Sequence, residues 1–175
     1  MTWCGIVLTE ALRLEAQSCA ELRMAESERQ GFVNLYGAER EIVKDKLGAY
    51  GEAIASVPLG IPFVGHVNVG LVADVGDYHV RGVQGDFNRL IVRPADDPDG
   101  IYILVQVNDD FTGGDALGWI IGRDAMEGRD AAGGTSPQGA ARWWENPLNK
   151  GAESKPAWFV HRSFLSPMDA LPKRG

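Results

Sequence analysis

An acidic turn followed by a strand lies near the middle of the chain, where the sequence reads Asp74-Val75-Gly76-Asp77-Tyr78-His79-Val80-Arg81. Gly and Asp in the first half are typical of a turn, and residues 78–83 have the pattern of a strand. Alternate residues of a strand share a face, so we expect His79 and Arg81 to lie together, with Asp74 near the beginning of the strand. Carboxylates for a hard cation and a basic group for phosphate are what metal-dependent phosphodiester hydrolysis needs.

The chain after this segment is predicted to be mostly β. Residues 101–107 form an almost continuous apolar run, which indicates a strand buried on both faces. The turn-rich loop 94–100 favours an antiparallel hairpin or meander that pairs the strands at 89–93 and 101–107. Residues 124–156 have the composition of a long irregular excursion with one short helix near 140–144, and residues 167–175 are expected to fray. Further strands are predicted at residues 117–121 and 157–160.

The chain before the segment is predicted to be mostly helical. Residues 9–29 form one helix with Thr9 as its N-cap, and residues 36–50 form a second that ends at Gly48 and Gly51. The Gly- and Pro-rich residues 55–73 are unlike a helix and end in a short strand at 67–72. Helices first and strands afterwards predict a single α+β domain over residues 1–175, not a chain of alternating βαβ units.

Composition excludes several classes of protein. The 175 residues carry a net charge of −7, which argues against a broadly basic nucleic-acid coat but not against a local basic patch. The sequence has no signal-peptide pattern and no apolar run long enough to span a membrane, so we expect a cytoplasmic protein whose Cys4 and Cys19 are reduced. Phosphate-binding glycine loops, a serine nucleophile elbow and paired Cys or His metal motifs are absent from the sequence.

Several segments together resemble a family of small phage and prophage proteins whose layout is similar to that of the PD-(D/E)xK, or restriction-endonuclease-like, nucleases. The resemblance covers roughly residues 37–168 and leaves the N-terminal helix of residues 1–30 outside. It implies a restriction-endonuclease-like core, with a central mixed sheet of four or five strands flanked by helices, in the cytoplasm of a host cell. The segments that carry it are 74–81, Leu90-Ile91-Val92-Arg93-Pro94, Ile103-Leu104-Val105, Gly118-Trp119-Ile120-Ile121-Gly122-Arg123-Asp124-Ala125 and Pro156-Ala157-Trp158-Phe159-Val160.

The resemblance also implies a set of catalytic residues. Glu39 takes the place of the helical acid and Asp74 that of the metal-binding Asp, so that both hold Mg²⁺. His79 stands in the slot of the second acid and is a candidate for orienting water, while Arg81 stands in the slot of the catalytic Lys. Histidine offers a nitrogen that Mg²⁺ does not favour, and arginine cannot release a proton, so the resemblance predicts a degenerate active site.

Each of these residues also has a structural interpretation. Asp74 and Asp77 suit a turn, Glu39 suits a solvated helix face, and Arg81 suits an ion pair with a helix acid as well as it suits a phosphate contact. Trp143 and Trp144 could stack on bases, anchor a partner or cover the edge of the core. The candidate DNA contacts could equally be scattered solubilising charge; they are Arg89, Arg93 and Arg123.

Two functions follow from these observations. The first is a phage-type protein that acts on DNA, with metal-dependent phosphodiester hydrolysis at the Asp74 site. The alternative is a non-catalytic factor that binds another protein or a second copy of itself, in host takeover or evasion of host defence, where an acidic surface mimics nucleic acid. The hydrolase predicts that four side chains converge in a cleft: Asp74, His79, Arg81 and Glu39. The binding factor predicts that these side chains are dispersed or held in ion pairs.

Overall fold

The computed structural model describes residues 3–29, 38–67, 73–86, 89–128, 141–144 and 157–173, with the backbone alone at 38–42 and 141–144. Its helices and strands form one mixed α/β arrangement, which confirms the predicted class. Short 3₁₀ turns follow the last strand at Arg162–Phe164 and Met168–Ala170. In chain order the elements are β1 (Ile6–Val7), α1 (Glu10–Arg29), α2 (Ala38–Leu59), β2 (Tyr78–Val83), β3 (Arg89–Val92), β4 (Ile101–Val107), β5 (Gly113–Ile121), α3 (Gly122–Met126), β6 (Ala141–Trp144) and β7 (Ala157–His161).

The strands form two sheets. The larger sheet has the order β1-β5-β4-β2; β2 runs parallel to β4, and the other neighbours are antiparallel. This agrees with the predicted mixed sheet of four or five strands. The smaller sheet has the order β3-β7-β6 and is antiparallel throughout.

The predicted hairpin between the strands at 89–93 and 101–107 is wrong. Consecutive strands β3 and β4 lie in different sheets, and β3 instead pairs with β7, which follows about 70 residues later. The loop 94–100 therefore carries the chain from one sheet to the other. Its residues have the turn chemistry that the sequence indicates, but turn chemistry does not determine whether the flanking strands pair.

Strand β4 separates two hydrophobic cores. Its odd-numbered residues pack with Ile54 of α2 in the core beneath the helices. Its Tyr102 and Leu104 pack with Leu90 of β3 and Val160 of β7 in the core between the two sheets. This explains the uninterrupted apolar run, since both faces of β4 are buried. Helix α2, with α1 packed against it, thus covers one face of the larger sheet, and the smaller sheet covers the other.

Helix α1 agrees with its prediction and α2 is longer than predicted. The Thr9 hydroxyl accepts a hydrogen bond from the Leu12 amide at 3.2 Å, as an N-cap does. Helix α2 continues to Leu59 because Gly60, at φ +66°, ends it: Ile61 donates to the Ser56 carbonyl and Gly60 to that of Val57, both at 3.2 Å. The prediction that residues 55–59 are non-helical is therefore wrong.

Two further segments differ from expectation near the C-terminus. Residues 141–144 form strand β6, not a helix, because they pair with β7. The segment after 167 packs on the larger sheet as far as Pro172: Met168 is buried, and the Tyr78 hydroxyl donates to the Pro172 carbonyl at 2.7 Å. The predicted strand at 67–72 falls almost wholly outside the described residues, as does most of the excursion at 124–156.

Among the helices of the described part, none has the length and apolar character required to cross a bilayer. Both cysteines are free thiols; Cys4 is exposed, and Cys19 of α1 is buried in a small cluster with Ala49 of α2. Burial raises the pKa of the Cys19 thiol, which keeps it protonated.

Candidate functional site

Asp74 lies in a tight turn that leads into β2. The amides of Asp74 and Val75 donate to the Tyr78 carbonyl, and Gly76 adopts φ +58°, which favours glycine. The Asp74 carboxylate accepts a hydrogen bond from the Val80 amide at 2.7 Å. The turn interpretation of this segment is therefore what the structure shows.

Arg81 makes contacts that tie this turn to the rest of the sheet. Its Nη2 donates to the Asp96 carboxylate at 2.9 Å, and its Nη1 lies 3.7 Å from that of Asp74. Its Nε donates to the Ile91 carbonyl of β3, and Nη1 also donates to the Val80 carbonyl, each at 3.2 Å. Every guanidinium nitrogen thus donates to a protein acceptor, and the acids paired with it come from loops, not from a helix.

His79 and Arg81 share a face of β2, as alternation predicts. The His79 ring stacks on Tyr102 of β4 with 4.7 Å between ring centroids, and the Arg81 guanidinium lies 5.1 Å from the centre of the same ring. Gly100 leaves the space that His79 fills, because a Cβ at position 100 would lie 2.8 Å from the imidazole. Burial lowers the pKa of His79, so the ring is neutral at physiological pH and packs as an aromatic group.

A buried ion pair lies beside this cluster and was not anticipated from the sequence. Arg23 of α1 donates to both carboxylate oxygens of Glu52 of α2, at 2.9 and 2.8 Å, and its Nε donates to the His66 carbonyl at 2.9 Å. Burial raises the pKa of the Glu52 carboxyl to about 7; the Arg23 charge opposes that shift, and the nearby Asp74 charge adds to it. One signal could have indicated the pair: Glu52 is the lone charge in the apolar run 49–56.

Glu39, predicted to hold Mg²⁺ together with Asp74, lies far along α2 from Glu52, the acid of that helix that interacts with Asp74. Helix α2 rises about 20 Å between Glu39 and Glu52, and Glu52 is the residue of α2 whose charge interacts with Asp74. The Glu39 side chain lies outside the described residues, so its sharing of an ion with Asp74 stays a prediction. Within the described part of the chain, no group of three or more His, Cys, Asp or Glu side chains is arranged to hold a metal ion.

The three arginines predicted to contact DNA differ in their surroundings. Arg89 is exposed on β3, and Arg93 is exposed immediately after that strand. Arg123 is also exposed, but its Nη2 pairs with the Asp99 carboxylate at 2.5 Å. Within the described part of the chain, neither Arg89 nor Arg93 takes part in an ion pair.

Comparison of the chain with protein-family models, with curated proteins and with solved structures finds no match. Its function is therefore argued from its own residues.

Proposed function

We propose that this protein binds DNA through exposed arginines of the smaller sheet, and that the Asp74–Arg81 cluster stabilises the fold instead of cleaving phosphodiesters. The observation that carries the proposal is a contrast among arginines. In the described residues, Arg23, Arg29, Arg81 and Arg123 each pair with a carboxylate. In the same part of the chain, Arg89, Arg93 and Arg162 stay exposed without such a pair, and the half-buried Arg13 also has none, although the protein has an excess of seven negative charges. Exposed arginines that form no ion pair with the carboxylates of the described residues can bind the phosphates of DNA.

The non-hydrolytic part of the proposal rests on how Arg81 and Asp74 are used. A phosphate-binding arginine needs donors aimed at the substrate, but each nitrogen of Arg81 already donates to the protein. One oxygen of the Asp74 carboxylate, Oδ2, accepts from the Val80 amide and lies beside the Arg81 guanidinium. Both groups are half-buried, so their release would cost hydrogen bonds.

The proposal includes a restriction-endonuclease-like core of phage origin that has lost or never had cleavage activity. Its supports are an acid at the beginning of a strand, His79 and Arg81 on one face of that strand, and a buried helix acid, Glu52, nearby. In this arrangement the role of the second acid has passed to a neutral, stacked imidazole, which is a poor ligand for Mg²⁺.

Binding is tested by fluorescence anisotropy with labelled single-stranded and duplex DNA at 50 mM salt, comparing wild type with Arg89→Gln/Arg93→Gln. We expect the double variant to bind at least 10-fold more weakly. Its affinity should also depend less steeply on salt, with a log–log slope smaller by about 0.7–0.9 for each phosphate that it no longer neutralises. Arg123→Gln, which removes an arginine already paired with Asp99, is the matched control and should change affinity less than 3-fold. If the wild type binds neither single-stranded nor duplex DNA, the proposal is contradicted and the protein-binding alternative is favoured.

Cleavage is tested separately by plasmid nicking with Mg²⁺ or Mn²⁺, using wild type, Asp74→Asn and Glu39→Gln. We expect no nicking by any of them. Nicking by the wild type that disappears in both variants would restore the metal-dependent hydrolase and contradict the non-hydrolytic assignment.

A further inference from the structure

Helix α1 carries apolar side chains on two of its faces. Its inner face packs on the rest of the fold through Ala16, Cys19 and Ala20, which are buried. Leu14 and Leu22 lie on the other side of the helix and are 65% and 57% exposed. Aliphatic side chains gain free energy when they leave water, so this second apolar surface can bind another molecule.

The two leucines belong to a stripe that runs along α1. At about 100° per residue, Ala11, Leu14, Ser18 and Leu22 fall within about 80° of the helix circumference, and all four are exposed. Small and large side chains alternate along this stripe, so the side chains of a second helix can fit between the leucines. The stripe is about 16 Å long, which matches about three turns of such a helix. We call these four residues the outer face of α1.

Acidic side chains border the outer face on both sides. Glu15 lies along one border, and Glu10 and Glu21 lie along the other; all three are exposed. In the described part of the chain, none of the three takes part in an ion pair. Arg13 and Arg23, the nearest basic residues of α1, are half-buried away from the outer face. The surface that α1 presents here is therefore apolar along its centre and negative along both edges.

This charge pattern selects among possible occupants. A second copy of α1 in parallel orientation would place Glu15 beside Glu15. An antiparallel copy centred on Ser18 would place Leu14 on Leu22 but Glu15 opposite Glu21, so like charges oppose self-association in both orientations. Nucleic acid and an anionic bilayer carry the same sign of charge as these borders. A helix with an apolar stripe between basic residues is complementary in both shape and charge.

We propose that the outer face of α1 docks a basic amphipathic helix of a protein partner. Apolar side chains of that helix pack on Leu14 and Leu22, and its Lys or Arg side chains pair with Glu15 and Glu21 at the borders. This site shares no residue with the arginines assigned to DNA, so it can be occupied whether or not the protein binds DNA.

The test uses a labelled peptide of four helical turns, with Leu at helical spacing and Lys at the other positions. A second peptide with Glu in place of every Lys is its matched probe. By fluorescence anisotropy at physiological salt, we expect wild type to bind the Lys peptide at least 10-fold more tightly than the Glu peptide. Leu14→Ser/Leu22→Ser should weaken binding of the Lys peptide at least 10-fold, and Glu15→Gln/Glu21→Gln should weaken it at least 5-fold.

A matched control separates this site from a general attraction of basic peptides to an acidic protein. Asp77→Asn/Asp86→Asn removes two exposed acids that lie outside α1, and it should change the affinity for the Lys peptide less than 3-fold. Unfolding curves check that each variant is folded. If Leu14→Ser/Leu22→Ser does not fold, Glu15→Gln/Glu21→Gln measured against this control gives the answer, because it changes only exposed charges.

Three outcomes would overturn the proposal. One is a Lys peptide that binds Leu14→Ser/Leu22→Ser as tightly as it binds wild type. Another is equal weakening by Glu15→Gln/Glu21→Gln and Asp77→Asn/Asp86→Asn, which would leave only a general charge attraction. The third is a wild-type dimer in sedimentation velocity that becomes a monomer in Leu14→Ser/Leu22→Ser, which would assign the outer face of α1 to a second copy.

Discussion

At the scale of single residues, Arg81 shows how a side chain with a catalytic appearance in sequence can have a structural role. It contacts the turn before its own strand, the backbone of β3 and the loop after β3. The fork of the guanidinium makes these contacts in several directions at once, which the single ammonium of lysine cannot do. The arginine that the sequence suggested as the counterpart of a catalytic lysine is therefore explained by its structural contacts.

This role predicts that Arg81→Lys destabilises the protein although it keeps the charge. The bonds to Ile91 and Asp96 cannot both be replaced by one ammonium group, and we expect a decrease of about 1–3 kcal/mol in the free energy of unfolding. Urea titration followed by circular dichroism measures the change. Arg123→Lys alters an exposed pair and should stay within about 0.5 kcal/mol of wild type. Equal effects of the two substitutions would contradict the structural role.

The sequence predicted part of this site and missed part. Alternation on β2 correctly placed His79 and Arg81 on one face, because period-two geometry is a local property of a strand. The partners of Arg81 could not be predicted in the same way, since Asp96 is brought to it by a connection between two sheets. The position of Glu52 as the lone charge in an apolar run indicates its burial, but its partner could not be predicted, because Arg23 lies on another helix.

At the scale of elements, helix α2 shows why local signals misplaced a boundary. Gly48 and Gly51 were interpreted as the end of the helix, but they allow close packing: a Cβ at 48 would lie 3.1 Å from Arg23 Nη1, and one at 51 would lie 3.0 Å from the Gly82 backbone. Pro58 lies in the last turn, where it costs one helical hydrogen bond just before the helix ends. Glycine that permits a contact and glycine that breaks a helix look the same in sequence.

The close approach of α2 to β2 predicts a large effect of Gly82→Ala. A Cβ at position 82 would overlap the carbonyl oxygen of Leu47, so either the helix or the strand must move. We expect a decrease of about 3 kcal/mol or more in the free energy of unfolding. Gly60→Ala is the control, because position 60 has open space but a positive φ, and it should cost about 1 kcal/mol. A smaller decrease for Gly82→Ala than for Gly60→Ala, in the same urea titration, would show that the helix and the strand are not as close as described.

At the scale of the whole molecule, two buried groups make stability depend on pH in opposite directions. Burial raises the pKa of Glu52 from 4.5 to about 7, so its contribution is complete below pH 4.5 and is lost as pH rises through 7. Burial lowers the pKa of His79 from 6.5, so its contribution is complete above pH 6.5 and is lost as pH falls. As pH falls below 6.5, the two effects therefore act in opposite directions in the wild type.

Removing one of these groups should reveal the other. Relative to Glu52→Gln, we expect the wild type to lose about 1–3 kcal/mol of unfolding free energy as pH rises from 5 to 7. Urea titrations at pH 5, 6 and 7 measure the difference. Glu15→Gln, an exposed carboxylate on α1, serves as the control and should follow the wild-type pH dependence. A constant difference between wild type and Glu52→Gln across this range would contradict the assignment.

The position of strand β4 has a consequence for how the protein unfolds. Its neighbouring residues belong alternately to the core beneath the helices and to the core between the sheets. Loosening either core exposes one side of the same backbone and weakens its pairing with β2 and β5. Melting at one side therefore propagates to the other, and the layers around β4 unfold cooperatively.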